Sequence, residues 1–162
     1  MLILSSRVRN DLDLTSANLA EGKGGTLKVR STEIKDSFKF KDVRISPSTV
    51  VDLTDTSCAV LSDDTKSWPT KGQLVIDGLA YRSLANPGSA STRLEWLRRQ
   101  LPAETADRRG QFRPQPYRQL AGVLRAQGFD GDATKILIGM AVDGRKWGGL
   151  RWWSRFAQWL LG

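Results

Sequence analysis

The sequence predicts an α+β protein: a short N-terminal β-solenoid of the parallel β-helix kind, followed by a small α-helical region containing an αα-hairpin. Three observations predict it. One apolar pattern recurs five times before residue 62, helical spacing takes over after residue 92, and the positive charge gathers in that second part.

The recurring pattern is apolar, skip two, small or β-branched, skip one, apolar. It reads Ile3-x-x-Ser6-x-Val8, Leu14-x-x-Ala17-x-Leu19, Val29-x-x-Thr32-x-Ile34, Phe40-x-x-Val43-x-Ile45 and Leu53-x-x-Thr56-x-Cys58. A second apolar residue stands two places before each lead: Met1, Leu12, Leu27, Phe38 and Val51. Every second lead lies 24 to 26 residues on, a period that marks a solenoid. The apolar-x-apolar start of each unit is strand alternation with one face buried. Helical spacing is absent across Leu27 to Val43, so the units read as stacked short strands, with Ile34 and Phe40 buried in adjoining coils. Lys28, Arg30, Lys35, Asp36, Lys39, Lys41 and Asp42 would face solvent. The alternative architecture is an antiparallel sandwich, which seldom keeps such a spacing over five units.

Next comes the polar stretch Ser62 to Ser67, ended by Trp68-Pro69. Gln73 to Tyr81 reads as a last strand with a turn at Asp77-Gly78, the rung that covers the open end of the stack. Asn86 to Ser91 is a loop, placing a solenoid domain at 1–85 and a helical domain at 92–162. Thr92 is the expected N-cap of a helix from Arg93 to Leu101. Pro116 suits the first position of a helix running from Tyr117 to Gln127 and closed by Gly128. Asp132 would start its antiparallel mate, ending at Ala141 or Val142 with Gly144 as breaker. Gly122 and Ala126 are small enough for close helix contact. The last stretch, from Lys146 to Leu161, predicts a basic, Trp-rich amphipathic helix.

Residues 1–92 carry a net charge of +1 and residues 93–162 a net charge of +7, so anionic partners would meet the second part. With no histidine, imidazole acid–base catalysis, Ser/His or Cys/His nucleophiles and His-ligated zinc are excluded. The lone Cys58 lies at a core position of the repeat, where it serves as a small hydrophobe, and a reducing compartment fits. Gly22-Lys23-Gly24-Gly25 has neither the spacing nor the following helix of a nucleotide-binding turn. Asp77 before Gly78 reads as a turn residue. No catalytic residue, cofactor or metal ligand is predicted.

Several pieces together resemble a bacterial family labelled membrane-associated oxidoreductase or pentapeptide-repeat-like. They are the Val8-x-x-x-Leu12-Asp13-Leu14 type of repeat, Trp68-Pro69, Leu74-x-Ile76-Asp77-Gly78-Leu79-x-Tyr81, Arg93-Leu94-x-Trp96-Leu97, Pro114-Gln115-Pro116-Tyr117-x-Gln119-Leu120-Ala121 and Leu124-Arg125-x-x-Gly128. The resemblance implies the cytoplasmic part of such a protein, ending where transmembrane helices would begin. It brings no catalytic residue with it.

The function expected is therefore a non-enzymatic adaptor at the cytoplasmic face of the inner membrane, binding protein partners. Its contacts to membrane or partner would come from Lys146, Trp147, Arg151, Trp152, Trp153, Arg155, Phe156 and Trp159. That segment has three competing fates: packing on its own domain, self-association, or a lipid interface. The alternative function is nucleic-acid binding, with Arg98, Arg99, Arg108, Arg109 and Arg113 on phosphates, joined by Arg93, Arg118 and Arg125, and with Trp96 or Tyr117 stacking on bases.

Overall fold

The computed structural model describes residues 2–20, 25–101 and 112–148. Coil one holds β1 (Leu2–Leu4), β2 (Arg7–Val8), β3 (Leu12–Asp13) and β4 (Asn18–Leu19). Coil two holds β5 (Thr26–Arg30), β6 (Glu33–Ile34), β7 (Ser37–Phe40) and β8 (Arg44–Ile45). Coil three holds β9 (Val50–Asp52) and β10 (Ser57–Asp63), and β11 (Leu74–Val75) and β12 (Ala80–Leu84) form a last partial coil. All pairings are parallel, in the sheet orders β1-β5-β9-β11, β2-β6-β10-β7-β3 and β4-β8, with β12 on β10. The expected β-solenoid is therefore the fold of the N-terminal part.

The register shows what one coil is. Ile3 stacks on Val29 and Val8 on Ile34, 26 residues apart; Leu27 stacks on Val51, 24 apart; Val51 stacks on Leu74, 23 apart. Ile34 and Phe40 are both buried, but in the same coil rather than adjoining ones. The five units of the sequence pattern are thus half-coils, lying alternately on different sides of the stack. The offset falls from 26 to 24 in the shorter connection between β8 and β9, and from 24 to 23 where a corner disappears. Between β6 and β7 the chain bends at Lys35-Asp36, whereas β10 runs straight past both strands, and the N–H groups of Ala59 and Val60 both donate to the Asp36 carbonyl, at 2.9 and 3.2 Å.

The small residue of each unit has a physical reason. Ser5, Ser31, Asp55 and Gly78 all have positive φ (46°, 49°, 53° and 76°) and stack as one left-handed corner. The next residue turns inward, so Thr32 and Thr56 are buried, and the Thr56 hydroxyl donates to the Val29 carbonyl of the neighbouring coil. A second corner repeats the device at Ser16 (φ 60°) and Asp42 (φ 52°), followed by Ala17 and Val43. Polar side chains short enough to satisfy local backbone groups tolerate this conformation best after glycine. At Gly78 a Cβ would lie 2.1 Å from Asp55 Oδ1, so only glycine fits beneath that carboxylate.

Among the described residues three helices follow: α1 (Ala90–Arg98), α2 (Gln115–Ala126) and α3 (Asp130–Trp147). The hydroxyl of Ser89, not of Thr92, caps α1, accepting from the Thr92 N–H at 3.2 Å. The αα-hairpin between α2 and α3 is present. It turns at Gly128 (φ 85°), where the Phe129 N–H donates to the Leu124 carbonyl at 2.8 Å and the Gly128 N–H to the Arg125 carbonyl at 2.9 Å. This is the paired helix ending that an αL residue permits. Gly144 does not break α3, which runs on to Trp147. Glycine inside a helix costs about 1 kcal/mol, and the buried contacts of its neighbours Asp143 and Trp147 outweigh that. Gly122 and Ala126 face solvent, so the close helix contact expected there falls elsewhere: a Cβ on Gly139 of α3 would meet Leu94 of α1 at 2.3 Å.

The helices close the C-terminal end of the stack, and the core is continuous across the join. Phe38, Phe40, Trp68 and Trp96 form a chain of ring contacts with centroids 5.8, 4.5 and 5.7 Å apart, leading from the solenoid interior to α1. The last rung is two strands rather than the single strand expected, and glutamines of α2 and its C-cap bind its outer edge. Gln115 Nε2 donates to the Leu79 carbonyl (3.2 Å) while its Oε1 accepts from the Gly78 N–H (3.1 Å). Gln119 donates to the Tyr81 carbonyl (2.7 Å). Gln127 donates to the Leu84 carbonyl and accepts from its N–H, both at 3.1 Å. A side-chain amide offers the donor and acceptor of a peptide group, so these three stand in for a further β-strand and protect the edge.

Candidate functional site

Two buried polar clusters come first among the candidates for chemistry, and both are fully occupied within the fold. Asp63, at the end of β10, accepts two bonds from Arg93 of α1 (2.7 and 2.9 Å) and one from Trp68 Nε1 (2.7 Å). Arg93 spends its other donors on the carbonyls of Pro87 and Asn86. The pair is almost wholly enclosed, with side-chain exposures of 4% for Arg93 and 0% for Asp63. It ties the first helix to the solenoid. Because it is enclosed, Arg93 is unavailable as a phosphate contact.

In the second cluster Asp143 of α3 accepts from Arg98 Nε of α1 (2.9 and 3.2 Å) and from the Tyr117 hydroxyl of α2 (2.9 Å), joining all three helices. The hydrogen bond to Asp143 raises the Arg98 pKa further. Burial, helped by the Asp143 charge, pushes the Tyr117 hydroxyl far up, so it stays a neutral donor. Cys58 is likewise inert: burial lifts its thiol from 9.0 to about 11.

The other predicted residues fall as follows. Arg99 donates to the Trp68 carbonyl at 2.8 Å, and burial lowers its pKa. Arg113 pairs with Asp77 at 3.3 Å. Trp96 and Tyr117 are buried, so neither can stack on a base. Trp147 is buried too, with Lys71 and Lys146 over its ring at 5.4 and 5.2 Å, and it is not a surface contact. Lys146 is exposed. Arg108, Arg109, Arg151, Trp152, Trp153, Arg155, Phe156 and Trp159 lie outside the described residues.

Among the described residues, two surface recesses bear on function. One, of about 410 Å³, lies along the second corner column and is lined by Ser16, Asp42, Arg44, Asp64 and Lys66. Its acidic centre is committed: Asp64 accepts from the Asp42 N–H (2.8 Å), the Lys66 and Ser67 N–H groups (2.8 and 2.9 Å) and the Ser67 hydroxyl (2.7 Å). Partial burial alone would raise its pKa, but these donors together hold it below the usual 3.8. The other, of about 430 Å³, is a shallow groove between Arg82 of β12 and Arg118 and Gln119 of α2. Among the described residues no group of three or more Cys, Asp or Glu is placed to hold a metal ion.

Among the described residues one helix face carries exposed apolar side chains beside cations. On the outer side of α3, Ile138 and Val142 are 60% and 53% exposed, one turn apart. Arg145 and Lys146 follow on the same side, a turn further on, both exposed, with Lys71 across Trp147. Periodicity hid this face, because Ile138 and Val142 look like core in a helix whose other apolar residues, Ile136 and Met140, are core. Among the described residues no helix is long and apolar enough to cross a membrane.

The geometry defines a class: a short parallel β-solenoid whose C-terminal end is closed by three helices. No protein-family model matches the chain, and no curated protein or solved structure matches it either.

Proposed function

We propose that the protein is a non-enzymatic scaffold that rests on an anionic membrane surface and presents its solenoid to a protein partner. The observation that carries this reading is the outer face of α3, where exposed Ile138 and Val142 lead into Arg145 and Lys146. Apolar side chains entering the headgroup layer, with cations beside them at phosphate level, are how a surface helix lies on a membrane. The resemblance to proteins labelled membrane-associated points the same way. The non-enzymatic part is supported by the two buried clusters, whose acids and bases are bound to each other across elements of the fold. The nucleic-acid alternative has weaker support, since Arg93, Arg98, Arg99 and Arg113 are each engaged within the chain.

The test is sedimentation with vesicles of phosphatidylcholine, with and without phosphatidylserine. The protein is expected to bind the anionic vesicles and to lose most of that binding in Ile138→Ser/Val142→Ser, which leaves the core untouched. Equal binding by wild type and variant, or binding indifferent to lipid charge, rejects this face as the membrane contact.

A further inference from the structure

Among the described residues the solenoid is closed at its C-terminal end, and no strand lies beyond its first coil. β1, β2 and β3 are terminal strands in their sheets, so half of their backbone groups have no strand beyond them. The first coil is also less covered: Ile3, Val8, Leu12 and Ala17 are only partly buried, while Val29, Ile34, Phe38 and Val43, 26 residues on in coil two, are buried; Leu14 is the buried residue of the first coil. Leu2 and Leu4 are 62% and 48% exposed. An open edge with an apolar interior behind it calls for another β-coil.

The order of residues in that coil names which one. Arg7-Val8-Arg9-Asn10-Asp11-Leu12-Asp13 is symmetric about Asn10 in its apolar positions and antisymmetric in its charges. The interior positions obey the same centre: Val8 and Leu12, Ser6 and Leu14, and Ile3 and Ala17 lie at equal distances on either side of it. Asn10 sits at the bend between β2 and β3, with both strands on the open edge. A two-fold axis through that bend sets β2 of one copy antiparallel to β3 of another. Arg7 then faces Asp13 of the second copy, Arg9 faces Asp11, and Val8 meets Leu12. Charges would alternate down the column: Arg7 already pairs with Glu33 below it, and Lys39 below lies 2.7 Å from Asp11 and 3.5 Å from Asp13, with Asp11 also accepting from the Ser37 N–H.

We infer that two copies of this chain associate head to head through their first coils, in antiparallel register centred on Asn10. Stacking head to tail is blocked because the other end carries the helices and the glutamines on β12. The contact is therefore isologous and closes at a dimer. It leaves both α3 faces free at the outer ends, and it stands whether or not the membrane reading does.

Sedimentation velocity of the full chain over a wide concentration range tests this. Wild type is expected to pass from monomer to dimer. Arg7→Asp/Arg9→Asp, which sets like charges opposite one another, should weaken the dimer by about tenfold or more, while Arg7→Lys/Arg9→Lys retains it. The variant Asn10→Cys tests the register, since the residue on the axis meets its own copy and should cross-link under mild oxidation; the thiol of Cys58 is buried and does not compete. Ser48→Cys, exposed on another corner, should not cross-link. A wild-type chain that stays monomeric, a dimer indifferent to the charge reversal, or cross-linking no faster at residue 10 than at residue 48 overturns the inference.

Discussion

At the C-terminal end of the solenoid the last rung is covered by α1 and α2, its backbone edge is bound by Gln115, Gln119 and Gln127, and its interior residues Leu74, Ile76, Leu79 and Tyr81 are buried. At the N-terminal end the first rung repeats the same pattern of residue types, yet Ile3, Val8 and Leu12 keep part of their surface exposed. The difference teaches that the repeat specifies a direction for each side chain but not its burial. Burial depends on what lies on the next layer, and among the described residues only the C-terminal end of the stack is capped.

The largest effect should come from breaking the bond between cap and stack. Asp63→Ala leaves the Arg93 guanidinium enclosed without its partner and should cost about 3–5 kcal/mol in chemical denaturation. A loss no larger than that of a surface substitution would mean the cap is held by apolar contact alone. The comparison of the two ends is sharpened next by a matched pair of cavities. Phe40→Ala, in the covered second coil, should cost about 3–5 kcal/mol. Leu12→Ala, in the first coil, should cost only about 1–2 kcal/mol on dilute protein, because part of the side chain is already in water. Equal losses would show that the first coil is covered after all.

Smaller effects test the cap itself. Gln119→Ala removes the donor to the Tyr81 carbonyl and should cost about 1 kcal/mol. Amide exchange should quicken along β12 in this variant and stay unchanged along β1. A last effect is one of pH. The folded protein holds the Cys58 proton up to about 11 against an ordinary 9.0, so unfolding releases a proton between these values. Stability from this group is complete below pH 9 and falls as pH rises toward 11. In Cys58→Ala that part of the alkaline decline should disappear from melting curves.

Much of the solenoid was legible because its signal is local. The alternation of Leu27, Val29 and then Ile34, Phe38 and Phe40 marks inward positions whatever covers them, and all five are buried. Coil length was less legible: each half-coil carries the same pattern, so the sequence could not say that Ile34 and Phe40 share a coil. A further signal stood beside the repeat, since Ser5, Ser31 and Asp55 precede its small residues Ser6, Thr32 and Thr56 at the period of the stack, and Gly78 continues the column before Leu79. The polar ties were not legible at all. Nothing near Asp63 points to Arg93, and nothing near Asp143 points to Arg98 or Tyr117, because each pair is joined only by the path of the chain between them.

The sequence by itself determined the class of fold, the inward and outward sides of each strand, and the helical hairpin, because hydrophobic periodicity and turn chemistry act within a few residues. It also determined where the charge lies. Tertiary structure alone decided which cations remain at the surface, that Trp147 turns inward while Ile138 and Val142 turn outward, and that α3 continues through Gly144. The physical reason is that a propensity is worth a fraction of a kilocalorie per residue, whereas stranding one member of a buried ion pair or emptying the place of a packed ring costs several times more, and those depend on residues distant in the chain.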